Sequence, residues 1–125
     1  MLVSIIIPIK NEPAIQQLID ELNKTIKQNY EIIIVDKSDV KPKIDGAKVV
    51  FQRSDGLGNA FVEGLSQSSG DLIALMDGDC SHRPTDLLRM LNNIEGHDIV
   101  LGSKLVRGGK TYDTLERRIV TLAFS

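Results

Sequence analysis

Leu2-Val3-Ser4-Ile5-Ile6-Ile7-Pro8 opens the chain, an almost unbroken apolar run with β-branched residues at Val3, Ile5, Ile6 and Ile7. No polar alternation marks a solvent-facing side. Such a run is expected for a strand buried on both faces, and strands of that kind belong to parallel sheets covered by helices. The segments that follow fit this frame. Ile15, Leu18, Ile19, Leu22 and Ile26 recur at helical spacing, with Pro13 where a first helical turn tolerates it. Residues 31–35 read as a second buried strand closed by Asp36, and a turn-rich stretch leads to a third strand over 47–51. A helix over 57–65 is entered through Gly56 and Gly58, and a fourth strand spans 71–76. Residues 84–94 predict a helix with Leu87, Leu88, Leu91 and Ile94 inward, and 98–101 a fifth strand. Asp113 and Glu116 have the spacing of a capping box, so a last helix is expected with Leu115, Ile119 and Leu122 behind it. The run from Arg118 to Ser125 reads as that helix stopped without a cap, and the natural domain is expected to continue. Strands alternating with helices predict one α/β domain over residues 1–125, with three layers and a mainly parallel central sheet.

The bulk properties narrow the class. At 125 residues, 42% hydrophobic and 26% charged, the chain suits one soluble globular domain with a real core. Aromatic residues make up only 4% and Trp is absent, so Ile, Val and Leu must build that core. A formal charge of −2 argues against nucleic-acid binding. Between residues 103 and 118, Lys104, Arg107, Lys110, Arg117 and Arg118 oppose Asp113 and Glu116, a net +3 on an otherwise acidic chain. That asymmetry suits an anionic ligand, although a solvated charged surface would look the same. Cys80 is alone, so no internal disulfide forms and a reducing, cytoplasmic setting is expected. No stretch approaches the ~20 apolar residues of a membrane span, so membrane association would come only through parts outside this chain.

In parallel α/β sheets, ligands bind beyond the carboxyl ends of the strands, and the polar residues of interest sit there. In Leu72-Ile-Ala-Leu-Met-Asp77-Gly78-Asp79-Cys80-Ser81-His82, a buried strand runs into two carboxylates separated by glycine. Two hard oxygen donors so spaced suit Mg²⁺ or Mn²⁺, and Gly78 would let the chain turn and a ligand approach. A polar turn capping the next helix is the plainer alternative. Cys80 and His82 raise zinc, but no second Cys/His pair completes a tetrahedral set. Lys10, Asn11 and Glu12 follow the first strand, where helix-start chemistry competes with a binding role. Asp36 is either a turn residue or an acceptor for a base or ribose. Ser54-Asp55-Gly56-Leu57-Gly58-Asn59-Ala60 is a glycine turn before a helix, but neither a dinucleotide fingerprint nor a P-loop. Gly64 reads as a close helix-packing position.

Taken together, Ser4-Ile-Ile-Ile-Pro8-Ile-Lys-Asn11-Glu12, Glu31-Ile-Ile-Ile-Val-Asp36, Gly56-Leu-Gly58-Asn-Ala60, Gly70-Asp71-Leu-Ile-Ala-Leu-Met-Asp77-Gly-Asp79, His82-Arg-Pro84 and Asp98-Ile-Val-Leu-Gly102-Ser103-Lys104 resemble family 2 glycosyltransferases of the GT-A fold. Within that family the pattern is most similar to dolichol-phosphate mannose synthases and polyprenyl-phosphate hexosyltransferases. The resemblance implies an inverting transfer of a hexose, mannose or glucose, from a GDP- or UDP-sugar to a polyprenyl or dolichyl phosphate. It implies base and ribose contacts at Pro8, Glu12 and Asp36, and donor-binding roles for Lys10, Asp55, Gly58, Asp77, Gly78 and Lys104. It also implies metal contacts at Asp77, Asp79 and Ser81, with Asp79, Arg117 and Arg118 as the catalytic set.

The sequence departs from the family pattern at three places. Asp36-Lys37-Ser38-Asp39 replaces an Asp-Asp-Gly-Ser element, Ser81 stands where a Gln is frequent, and Lys104 replaces an Arg, removing a bidentate phosphate fork. The first of these motivates a different class, a non-catalytic module of the same fold that binds a nucleotide sugar or a partner. A phosphoacceptor signalling domain would need an acidic pair after the first strand, where Lys10-Asn11-Glu12 stands instead. A nucleotidyltransferase would need a glycine-rich, lysine-bearing loop there, and this too is missing.

Overall fold

A computed structural model describes residues 1–95, 99–101 and 118–121, the last two segments as backbone only. The described residues form six strands and three helices in the order β1 (Leu2–Ile9), α1 (Ile15–Thr25), β2 (Asn29–Asp36), β3 (Lys48–Phe51), α2 (Leu57–Ser66), β4 (Leu72–Leu75), α3 (Pro84–Asn92), β5 (Ile99–Leu101) and β6 (Arg118–Thr121). The strands form one sheet in the order β3-β2-β1-β4-β6-β5. Every described pairing is parallel. The three-layer α/β architecture expected from the sequence is therefore present.

Alternation along the strands sorts the core into two layers. Val3, Ile5, Ile7, Ile32, Ile34 and Ala74 meet the fully buried Leu18, Ile19, Leu22 and Leu87 of α1 and α3. Ile6, Ile33, Val35 and Ile73 face the other way, onto Ala60 of α2. Gly64 lies at this second contact, where an added Cβ would come within 2.4 Å of Ile6 Cγ2 and 3.0 Å of Val35 Cγ2. Its predicted packing role holds. Among the described residues, no helix is long and apolar enough to cross a membrane.

Two expectations change. The first strand runs through Pro8 to Ile9 rather than ending at the proline that closes the apolar run. Pro8 can stay because β4 leaves β1 early: the Met76 N–H donates to the Ile6 carbonyl, and their ladder ends there. The missing proline N–H faces that vacated edge and leaves no ladder bond unmade. The larger change is at residues 118–121, expected as helix and found as β6, pairing with β4 on one side and β5 on the other. Ile119-Val120-Thr121 is entirely β-branched, and two open parallel edges offer it hydrogen bonds that override the local helical spacing. The capping-box residues Asp113 and Glu116 lie outside the described residues.

Candidate functional site

At the carboxyl ends of β1 and β4 a cavity of about 210 Å³ brings Pro8 near the end of β1, with Lys10 and Glu12 of the loop that follows, against Asp77, Gly78 and Asp79 after β4. Of its three acidic residues, Asp77 and Asp79 differ in environment. Burial raises the Asp77 carboxyl above its ordinary range, opposed by His82 and reinforced by the charge of Asp79. Asp79 is lowered, because the Ser81 hydroxyl and N–H both donate to it, the N–H at 2.9 Å. Ser81 is exposed, is bonded to Asp79 and does not itself line the cavity. Cys80 sits in the left-handed region at φ 64° and turns its thiol towards the Ala14 carbonyl, while His82 Nδ1 accepts the Asp77 N–H at 3.3 Å. Both side chains address backbone, which supports a turn and not a zinc pair.

Gly78 has a reason the sequence reading missed. Its backbone needs no positive φ. An added Cβ would instead approach Ile9 Cγ2 at 2.6 Å and Ile7 Cγ2 at 3.3 Å. The residue is small so that the acidic loop can lie directly on β1, which sets the depth of the cavity floor.

Glu12 has two functions. One carboxylate oxygen accepts the Ala14 N–H at 3.0 Å, the helix-start role, while the residue still lines the cavity. Asn11, at φ 54°, is fixed by a reciprocal pair with Asp39 (2.9 and 3.0 Å) and by the Ser38 hydroxyl accepting its N–H at 2.8 Å. The 10–12 loop is thereby tied to the end of β2.

A second cavity of about 320 Å³ adjoins the first and shares Pro8, Ile9 and Lys10 with it; Lys37, Gln52, Asp55, Gly56, Leu57 and Ala60 complete its walls. Asp36 is in neither. It is 2% exposed, accepts the Ser38 N–H at 2.9 Å, and borders a third hollow with Asp39, Lys41 and Phe51. Its turn role is therefore present, and it stands apart from the paired acids. Gly58 lies in the first turn of α2, exposed, lining none of these three cavities. Lys104 and Arg117 fall outside the described residues; Arg118 begins β6, and its side chain is likewise outside.

Glu63 escaped sequence reading altogether. From α2 it accepts the N–H groups of Arg53 and Ser54, each at 2.9 Å, and the Ser54 hydroxyl. These bonds pull its carboxyl down to about 2, the Arg53 N–H contributing most. No sequence signal announces this partnership across ten residues, because it exists only once α2 folds back under the loop. A group lowered from 4.5 to about 2 stabilises the fold above pH 4.5 and loses that contribution as pH falls towards 2. Glu63→Gln is accordingly expected to melt below the parent at pH 7, with the gap closing by pH 2; equal melting curves at pH 7 would contradict the bonding described.

The family profile of glycosyl transferase family 2 matches residues 4–123. The chain belongs to glycosyltransferase family 2. This family-2 chain is 31% identical over 123 residues to the dolichol-phosphate mannosyltransferase of Pyrococcus furiosus, covering 88% of the chain and 35% of that protein. It is 31% identical over 124 residues to the undecaprenyl-phosphate mannosyltransferase of Micrococcus luteus, covering 88% of the chain and 51% of that protein. The undecaprenyl-phosphate 4-deoxy-4-formamido-L-arabinose transferase of Proteus mirabilis is also 31% identical, over 115 residues, covering 78% of the chain and 35% of the relative. The chain thus spans between a third and a half of the length of these relatives.

Proposed function

We propose that this chain forms the donor-binding part of an inverting glycosyltransferase. In this reading a GDP- or UDP-hexose lies with its diphosphate in the cavity of Asp77 and Asp79, and the hexose passes to a polyprenyl or dolichyl phosphate. The observation that carries it is the meeting of Lys10 and Glu12 with Asp77 and Asp79 in one cavity at the carboxyl ends of parallel strands. The printed names of the relatives, transferases acting on dolichol or undecaprenyl phosphate, support the acceptor class.

The donor set fits Mg²⁺ or Mn²⁺. Asp77 and Asp79 are hard oxygen ligands, and among the described residues no group of three or more His, Cys, Asp or Glu could enclose an ion. Magnesium and manganese are commonly held by one or two carboxylates, keeping their remaining positions for water and phosphate oxygens. Such an ion would neutralise charge on the departing diphosphate. The protein's own part is to orient Asp79 through Ser81, to fix the acidic loop on β1 through Gly78, and to set the Lys10 ammonium beside the diphosphate. Charge that develops in the transition state then meets preorganised groups. A phosphate acceptor is already an anion at neutral pH, so the attacking oxygen requires no strong general base.

Calorimetric titration with UDP, GDP and their hexose conjugates, with and without Mn²⁺, tests the reading. Binding of one nucleoside diphosphate, tightened by the metal, is the expected result. Absence of binding for every one of them would sink it.

A further inference from the structure

Lys37 stands where the sequence departs from the family pattern, and its ammonium is engaged by one loop. Asp36 continues the face of β2 that carries Ile32 and Ile34, and the side chain of Lys37, just past the strand, lies on the opposite side, over the stretch between β3 and α2. There Lys37 Nζ donates to the Ser54 carbonyl at 2.9 Å and the Gln52 carbonyl at 3.5 Å, and pairs with Asp55 Oδ1 at 3.3 Å. The ammonium thus donates to two carbonyls of one short loop, the shorter bond going to Ser54, and faces the Asp55 carboxylate of the same loop. The same loop is held from beneath by Glu63, and closed across itself by Gln52 Nε2 donating to the Gly56 carbonyl at 3.0 Å. The Gln52 N–H in turn donates to the Asp36 carbonyl at 2.7 Å. Ser54 has its N–H, hydroxyl and carbonyl all engaged. A segment without helix or strand is therefore pinned from β2 and from α2 at once.

What the pinned segment does follows from its place. Gln52, Asp55 and Gly56 wall the 320 Å³ cavity that shares Pro8 and Lys10 with the diphosphate cavity. A ligand with its anionic end beside Asp77 and Asp79 has its remaining bulk directed there. Polar groups on one side and Leu57 and Ala60 on the other suit a planar heterocycle with polar edges. The Asp55 side chain is 97% exposed, so the ion pair itself contributes little. The bonds to the carbonyls carry the effect.

Building on the donor reading above, we propose that Lys37 is a positioning residue that preforms the wall of the nucleoside end of the donor site by clamping the 52–56 loop to β2. A wall ordered before binding spares the ligand the entropy of ordering it.

The test compares two ligands. UDP and GDP span both cavities, whereas inorganic pyrophosphate with Mn²⁺ occupies only the first. Lys37→Met is expected to weaken nucleoside diphosphate binding roughly tenfold, the effect of losing one set of charge-assisted bonds. Pyrophosphate binding should be unchanged, and Lys37→Arg, which can still reach the carbonyls, should recover most of the loss. Equal weakening of both ligands would mean general damage and would overturn the clamp, as would unchanged nucleotide binding. A parent protein that binds pyrophosphate but neither UDP nor GDP overturns the donor reading and the clamp with it. Should Lys37→Met fail to fold, Lys37→Gln takes its place: weakened nucleoside diphosphate binding beside unchanged pyrophosphate binding supports the clamp, and unchanged binding of both overturns it.

Discussion

Asp79→Asn is expected to lower sugar transfer by about 10²–10³-fold, the usual cost of removing one preorganised electrostatic group from a reaction centre. The change keeps the shape of the side chain and removes its charge. Asp79 is exposed and its folded partner is Ser81, one residue beyond Cys80, so the global fold has little stake in it. Thermal melting should therefore be nearly unaltered while turnover collapses. Asp77→Asn is expected to follow the same pattern, with some change in stability because Asp77 is more enclosed. The measurement is initial-rate transfer of labelled hexose from GDP- and UDP-sugars to a polyprenyl phosphate, beside melting curves for each variant. If both variants keep parental turnover, these carboxylates are turn residues and the non-catalytic alternative gains. Nucleotide binding measured alongside separates a lost ligand site from a lost chemical step.

The second large effect concerns stability, at the opposite end of the sheet. Gly70 precedes β4, where its N–H donates to the buried Ser4 hydroxyl at 2.7 Å. That hydroxyl donates in turn to Glu31 at 2.6 Å, and Glu31 accepts the Ser69 N–H at 2.6 Å. A Cβ on Gly70 would stand 2.5 Å from Ser4 Oγ, 2.7 Å from Ser4 N and 2.8 Å from the Leu2 carbonyl. Two of these neighbours are backbone atoms of a central strand and cannot swing aside. Gly70→Ala must push β4 off β1 or break the Ser4 bond. Overpacking together with a lost hydrogen bond costs about 2–4 kcal/mol. Urea denaturation should show a lower midpoint at similar slope. Gly58→Ala is the control: nothing lies within 4 Å of the added carbon, and removing a helical glycine should gain up to about 1 kcal/mol. A Gly70→Ala protein as stable as the parent would mean that the strands are not spaced as described.

Much of this architecture could be read from single stretches. The β1 run, the Ile15-to-Ile26 spacing and the strand leading into Asp77 each carry their period locally, so backbone class followed from composition and order. The last segment shows where that stops. Ile119 and Leu122 fit a helical period behind Asp113, and Ile119-Val120-Thr121 fits a strand equally well. Local sequence is degenerate there, and two unfilled sheet edges select the strand.

The paired acids were legible for a similar reason: Asp77 and Asp79 end a buried strand, and strand ends of parallel sheets gather ligands. Gly78 and Gly70 were legible only as glycines, because what each would strike belongs to β1, some sixty residues away or more. Glu63 and Lys37 bind a loop that neither precedes in an obvious motif. Asp36 and Lys37 make the division plain. By itself the sequence determined that a strand ends at this pair, with a carboxylate followed by a cation. Only the tertiary structure decided that alternation sends the first into its own turn with Ser38 and the second across to the loop between β3 and α2 that walls a cavity, because successive side chains of an extended backbone face opposite sides of the sheet.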